Sequence, residues 1–172
     1  MRSTAPSSVR QVLHLHMHMH TCACTCTPAH AHAHLDSPFE HAPGASRAKA
    51  VLWRLNEQEL LTNSDASVQQ QAATLTLEHV LPQKPQEGWR ESWPDKADSD
   101  AWCHRLGNLV LLNHRTNAAA SNKMFVEKKP LLAKSPYPLT RELADKAGWS
   151  IVEVQAQQKR LIELASVVWE LQ

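Results

Sequence analysis

Glu78-His79, Asn108 and Asn117 follow one another along the chain, and their side chains could together hydrolyse a phosphate ester. An imidazole titrates near neutrality and can take a proton from water. A carboxylate and an amide carbonyl are hard oxygen donors of the kind magnesium prefers, and they leave room on the ion for water and phosphate. An ion so held neutralises charge on a phosphate and on its leaving oxygen. Glu78 and Asn117 would supply the two oxygens, and His79 the base. Each signal is common on its own, because a histidine after a strand is usually structural and an Asn at a helix start is usually a cap. The ordered set carries the inference.

Such residues need elements that hold them. LTLEHV at 75–80 reads as a strand that ends on Glu78-His79. LGNLVLL at 106–112 reads as a second strand with Gly107 at its entrance and Asn108 within it. A helix is expected from about 114 to 121, with Asn117 nine residues after Asn108. A further helix from about 121 to 133 is limited by Pro130. Strand, loop, strand, helix is the order of a ββα-metal unit.

The surroundings read as follows. Residues 47–62 form a helix with Ala48, Leu52 and Leu55 on one face. Residues 63–73 are polar, and Pro82, Pro85, Gly88 and Pro94 are expected to break regular structure up to the second strand. The stretch 84–100 has three basic and five acidic residues, a poor surface for phosphate, and Trp89, Trp93 and Trp102 should pin it to the body. Thr140 could cap a short helix ending near Gly148. Ser150 and Glu153 fit a capping box for a last helix, with Ile151, Val154, Leu161, Ala165 and Val168 in its buried stripe.

Composition sets bounds. The 172 residues allow one domain plus a tail, and 42% hydrophobic content is enough for a core. Eighteen basic against 17 acidic residues exclude a globally basic nucleic-acid binder. They leave room for a local patch: Arg105, Arg115, Lys123, Lys128, Lys129 and Lys134 face Glu127 alone between 105 and 134, a local charge of +5. No apolar run is long enough for a membrane helix.

Eight of the eleven histidines and three of the four cysteines lie before residue 42. The run HLHMHMHTCACTCTPAHAHAH at 14–34 invites a metal reading, but Cys22, Cys24 and Cys26 alternate with Ala and Thr and no second cysteine pair follows. His and Cys codons read pyrimidine-purine-pyrimidine, and Met, Thr and Ala codons can read purine-pyrimidine-purine. The alternation therefore fits translation of a simple nucleotide repeat better than a metal-sequestering site. Histidines interrupt any signal-peptide core, and the cysteine pattern gives no disulfide framework, so the chain reads as cytoplasmic. The expected division is a low-complexity, disordered tail and linker over 1–45, and a folded domain over 46–172. Its core motif covers 74–134, and its C-terminal helices 140–171. Residues 36–46, with Pro38, Pro43 and Gly44, read as the linker.

The run EHVLPQ, then LGNLVLLN, then NAAASNKMF with KK, together with ELA, GW and a terminal VVW, resembles a known family over residues 74–170. It is similar to the C-terminal domain of GmrSD-type modification-dependent restriction endonucleases, of the His-Asn-His (HNH) nuclease superfamily. The resemblance implies a mainly helical α+β fold with a ββα-metal core and flanking helices. It implies DNA as substrate and Mg2+ or Mn2+ as cofactor. By position it makes His79 the base, Glu78 a metal ligand, and Asn108 the residue bracing the loop that holds His79. Asn117 takes the last metal position, with Asn122 its rival. Arg115 and Lys123 would contact phosphate, and His104 could approach the site. An N-terminal nucleotide-hydrolysing domain or subunit, the family's usual partner, is not seen, so a detached C-terminal module is expected. The alternative reading is an inactive module that binds nucleic acid or a partner.

Overall fold

A computed structural model describes residues 33–39, 41–62 and 75–169, and the side chains among these except those of 41–43. The expectations for the histidine- and cysteine-rich stretch 14–32 and for 63–74 lie outside the described residues. Helix α1 spans His41–Thr62 and strand β1 Leu75–His79. A 3-10 turn at Glu87–Glu91 precedes helix α2, Lys96–Cys103. A second 3-10 turn, Leu106–Asn108, leads into strand β2, Leu109–Asn113. Helices α3 (His114–Ala120), α4 (Phe125–Leu132), α5 (Pro138–Arg141) and α6 (Ile151–Val168) follow, with a third 3-10 turn at Glu142–Asp145 after α5. The fold is mainly helical α+β, and its β1-β2-α3 order is that expected.

The two strands pair antiparallel, with Leu75 opposite Asn113, Leu77 opposite Leu111 and His79 opposite Leu109. A two-stranded sheet is marginal alone, and here both faces are covered. Leu75, Leu109 and Leu111 pack with Leu52 and Leu55 of α1, Leu139, and Leu161 and Ala165 of α6. On the other face Val110 and Leu112 join Val80, Trp89, Trp93, Phe125, Leu132 and Trp149. Double burial explains why β2 reads LVLL without polar alternation. Each leucine fully buried in these layers is worth about 1.5–3 kcal/mol.

Gly107 sits where the second 3-10 turn meets α6. A Cβ there would lie 2.4 Å from the Val154 carbonyl oxygen and 2.7 Å from the Gln158 nitrogen. Both are backbone atoms, so the close approach requires glycine. The Gly107 N–H donates to Gln158 Oε1 at 2.6 Å. Ser150 and Glu153 form the expected capping box of α6, with Ser150 N–H donating to Glu153 Oε2 at 2.7 Å.

Several boundaries differ from expectation. Asn108 lies in the 3-10 turn before β2, not within the strand. Helix α2 occupies the end of the stretch expected to lack regular structure, because Asp95 caps it by accepting from Ala97 N–H at 2.7 Å. Thr140 is not a cap: it lies inside α5, and its hydroxyl donates to the Leu111 carbonyl at 3.0 Å. Residues 36–46 are not a free linker. Helix α1 already starts at His41, since Pro43 in a first turn forfeits no helical hydrogen bond. Leu35 and Phe39 are buried in the α1–α6 core, and Gln158 Nε2 donates to the Leu35 carbonyl at 2.8 Å.

Candidate active site

His79 ends β1, and the chain then turns sharply through Val80 and Leu81. Asn108 holds that turn. Its Oδ1 accepts from Leu81 N–H at 2.8 Å, and its Nδ2 donates to the carbonyls of Leu81 (3.0 Å) and Cys103 (2.8 Å). Trp149 Nε1–H donates to the same Oδ1 at 2.9 Å. The Asn108 carbonyl also receives Val80 N–H at 3.0 Å. Asn108 is fully buried, so any of these bonds left unmade would cost about 1–3 kcal/mol. One side chain thus ties the segment after His79 to the end of α2.

Strand alternation places Thr76 and Glu78 on one face of β1 and Leu77 and His79 on the other. Glu78 lies under α4, where Lys128 meets it. Lys128 is 0% exposed. Its Nζ donates to Glu78 Oε1 at 2.6 Å, to the His79 carbonyl at 2.8 Å and to the Val80 carbonyl at 3.1 Å. Two of the three partners are backbone carbonyls, which only accept, and the third is a carboxyl oxygen, so the arrangement matches the three donors of an ammonium set against a carboxylate. Burial pushes the Glu78 carboxyl up and the Lys128 ammonium down, each against the attraction of its partner.

Asn117 projects from α3, which Asn113 caps by accepting from Thr116 N–H at 2.8 Å. Its Nδ2 donates to Thr76 Oγ1 at 2.8 Å and to the Leu77 carbonyl at 3.0 Å. A carbonyl only accepts, so this bond fixes the orientation of the amide. Asn117 Oδ1 receives no donor among the described residues.

The His79 ring is half-buried. Its Nε2 lies 3.3 Å from His104 Nδ1 and 3.3 Å from Gln83 Nε2, and the two imidazoles meet edge to face. Burial, then the nearby His104 and Lys128, lowers the His79 pKa to about 4. The ring is therefore neutral at physiological pH, with one unprotonated nitrogen that can accept a proton. Cys103 is buried beside it, and burial pushes its thiol up to about 11. Ligand atoms of His79, Cys103 and His104 all lie within 4.8 Å of one another.

The structure thus brings His79 together with His104, and Asn108 with the turn after His79. Asn117 shares the Glu78 face of β1, but no hydrogen bond joins it to Glu78 or His79 among the described residues. Asn122, Arg115 and Lys123 are exposed. The basic island is smaller than its sequence count. Lys128 is spent on Glu78, Arg105 pairs with Asp36 at 3.7 Å, and Lys129 donates to the Lys146 carbonyl at 2.8 Å.

Sequence reasoning missed Lys128 as a site residue and Trp149 as a partner of Asn108. The signal for Lys128 was present: Phe125, Lys128 and Leu132 are the buried residues of α4, at helical spacing. A lysine on an apolar stripe is a buried lysine, and it needs an anion.

A search of curated proteins finds no match. A family model described as the C-terminal domain of GmrSD restriction endonucleases matches residues 28–164. The match spans the sheet, α1 to α5 and most of α6. The chain belongs to this family of GmrSD restriction endonuclease C-terminal domains, and is a restriction-endonuclease-related nuclease domain.

Proposed function

We propose that this domain is an HNH-type endonuclease that hydrolyses phosphodiester bonds in DNA with a divalent metal, as part of a prokaryotic restriction or defence system. The observation that carries the reading is His79, held neutral at the end of β1 on a turn braced by Asn108. A neutral imidazole accepts a proton from water as the oxygen attacks phosphorus. Asn108 fixes where the ring can stand, and Lys128 fixes the His79 carbonyl from the opposite side.

Glu78 and Asn117 offer the hard oxygen donors that magnesium or manganese takes, on the face of β1 opposite the His79 side chain. Glu78 offers a carboxylate with about four acceptor positions, of which Lys128 takes one at Oε1. Asn117 Oδ1 has no protein donor among the described residues, and Asn122 is exposed nearby in sequence as its rival. When bound, the ion would neutralise charge on the phosphate and leaving oxygen. Arg115 and Lys123, both exposed on the α3–α4 side, would contact phosphates and set the register of the duplex. A cytoplasmic location, and an N-terminal nucleotide-hydrolysing domain or subunit as partner, belong to the same proposal. Among the described residues no helix is long and apolar enough to cross a membrane.

One observation favours a second reading, a module that binds DNA or a partner without cutting: Glu78 is already neutralised by Lys128. Supercoiled plasmid separates the two. With magnesium or manganese the protein should produce nicked and linear DNA, and none in EDTA. Salt-sensitive binding without cleavage under any divalent ion would overturn the endonuclease reading in favour of the second.

A further inference from the structure

His79, Cys103 and His104 combine two imidazoles and a thiol in one half-buried cluster, a softer donor set than the oxygens of Glu78 and Asn117. Tetrahedral zinc with bonds of about 2.0–2.3 Å sets its donor atoms about 3.3–3.6 Å apart. His79 Nε2 and His104 Nδ1 already stand at that spacing, 3.3 Å. The sulfur lies within 4.8 Å of a ring nitrogen of each histidine.

The backbone of each residue in the cluster is fixed. The His79 carbonyl takes a bond from Lys128, the Cys103 carbonyl from Asn108 and the His104 carbonyl from Phe39 N–H at 2.8 Å. These contacts fix the main chain from which the three donor side chains project. His79 and His104 keep half-exposed rings, so the cluster has a solvent side by which an ion enters and where a water can complete four-coordination.

We propose that His79, Cys103 and His104 form a binding site for a thiophilic divalent cation, zinc being the fitting member, and that its occupation switches the domain off. Binding forms bonds from the metal to His79 Nε2, His104 Nδ1 and Cys103 Sγ, and the thiol proton passes to the buffer. A neutral imidazole has a single in-plane lone pair, and its other nitrogen carries the proton. Once that lone pair is on the metal, His79 has none left to take a proton from water. The binding site stands on the cluster's geometry alone, whereas the switch rests on the endonuclease reading.

Cobalt(II) tests the site spectroscopically, without reference to activity. The full chain carrying Cys22→Ala, Cys24→Ala and Cys26→Ala retains Cys103 as its one cysteine. One equivalent of Co2+ should give a thiolate-to-cobalt charge-transfer band and intense tetrahedral d–d absorption, both displaced by Zn2+. His104→Ala, a change at a half-exposed ring, and Cys103→Ser should each abolish the spectrum while their far-ultraviolet circular dichroism stays native. No charge-transfer band in the parent, or the same spectrum in His104→Ala, overturns the site. In the cleavage assay with magnesium, one equivalent of Zn2+ should slow the parent by the roughly 10²-fold or more that losing a general base costs, whereas the rate of His104→Ala, whatever its value without zinc, should not change when zinc is added. Full activity of the zinc-loaded parent overturns the switch. Cobalt binding in a protein that never cuts DNA overturns the endonuclease reading and the switch with it, and leaves the metal site standing.

Discussion

Replacing Lys128 by Met leaves the volume of the side chain nearly unchanged and removes only the charge and the donors. Glu78 is then a buried carboxylate without its cation, and the His79 and Val80 carbonyls lose their shared donor. Breaking a buried ion pair from one side costs roughly 3–5 kcal/mol. For a domain of this size about 1 kcal/mol moves the melting temperature by some 3–5 °C, so Lys128→Met should melt about 10–20 °C lower. The double variant Glu78→Met/Lys128→Met removes both charges and should recover most of the loss, because hydrophobic replacement of a whole buried pair is close to neutral. Lys129→Met, one residue along and half-exposed, serves as the control and should cost under about 1 kcal/mol. Urea and thermal melts of the wild type, Lys128→Met, Glu78→Met and the double variant form a double-mutant cycle, with Lys129→Met measured beside it. A Lys128→Met variant as stable as the Lys129 control, or a double variant no better than the single, would refute the buried-pair argument.

Two further outcomes follow from the packing and the electrostatics. Gly107→Ala forces a methyl against the backbone of α6 at Val154 and Gln158, and should leave little soluble folded protein when expressed beside the wild type; normal yield and melting would show that α6 can move aside. His79 has a folded pKa of about 4 against 6.5 unfolded, so its neutral ring contributes stability that is complete above pH 6.5 and lost as pH falls towards 4. Urea midpoints in EDTA, wild type minus His79→Gln, should therefore shrink across that window, and a flat difference would contradict a histidine held neutral by burial.

How much of this was legible in the sequence depended on whether the signal was local. The strand ending on Glu78-His79, the capping box at Ser150 and the buried face of α1 each rest on neighbours within a turn or a strand, and periodicity reveals them. The 3-10 turn at Leu106–Asn108 does not, because Gly107 and Asn108 are bent by contacts with α6 and with the turn after β1, from residues 27 to 51 positions away. Lys128 was counted as part of a basic surface because charge was summed along the chain and not around the helix. His104 shows the same limit in the site itself. The sequence allows His104 to approach the site, but it does not reveal that two histidines 25 positions apart stand 3.3 Å from each other. The order of Glu78, His79, Asn108 and Asn117 was readable, but the faces on which they lie and the bonds that occupy them belong to the tertiary structure.

The central claim is that His79 takes a proton from the attacking water, and the rate of plasmid nicking by His79→Ala measures it most directly. With magnesium, at equal protein concentration and with native circular dichroism for both, the account predicts that the variant cuts about 10²–10⁴-fold more slowly than the wild type. Equal cutting by the two proteins would contradict it.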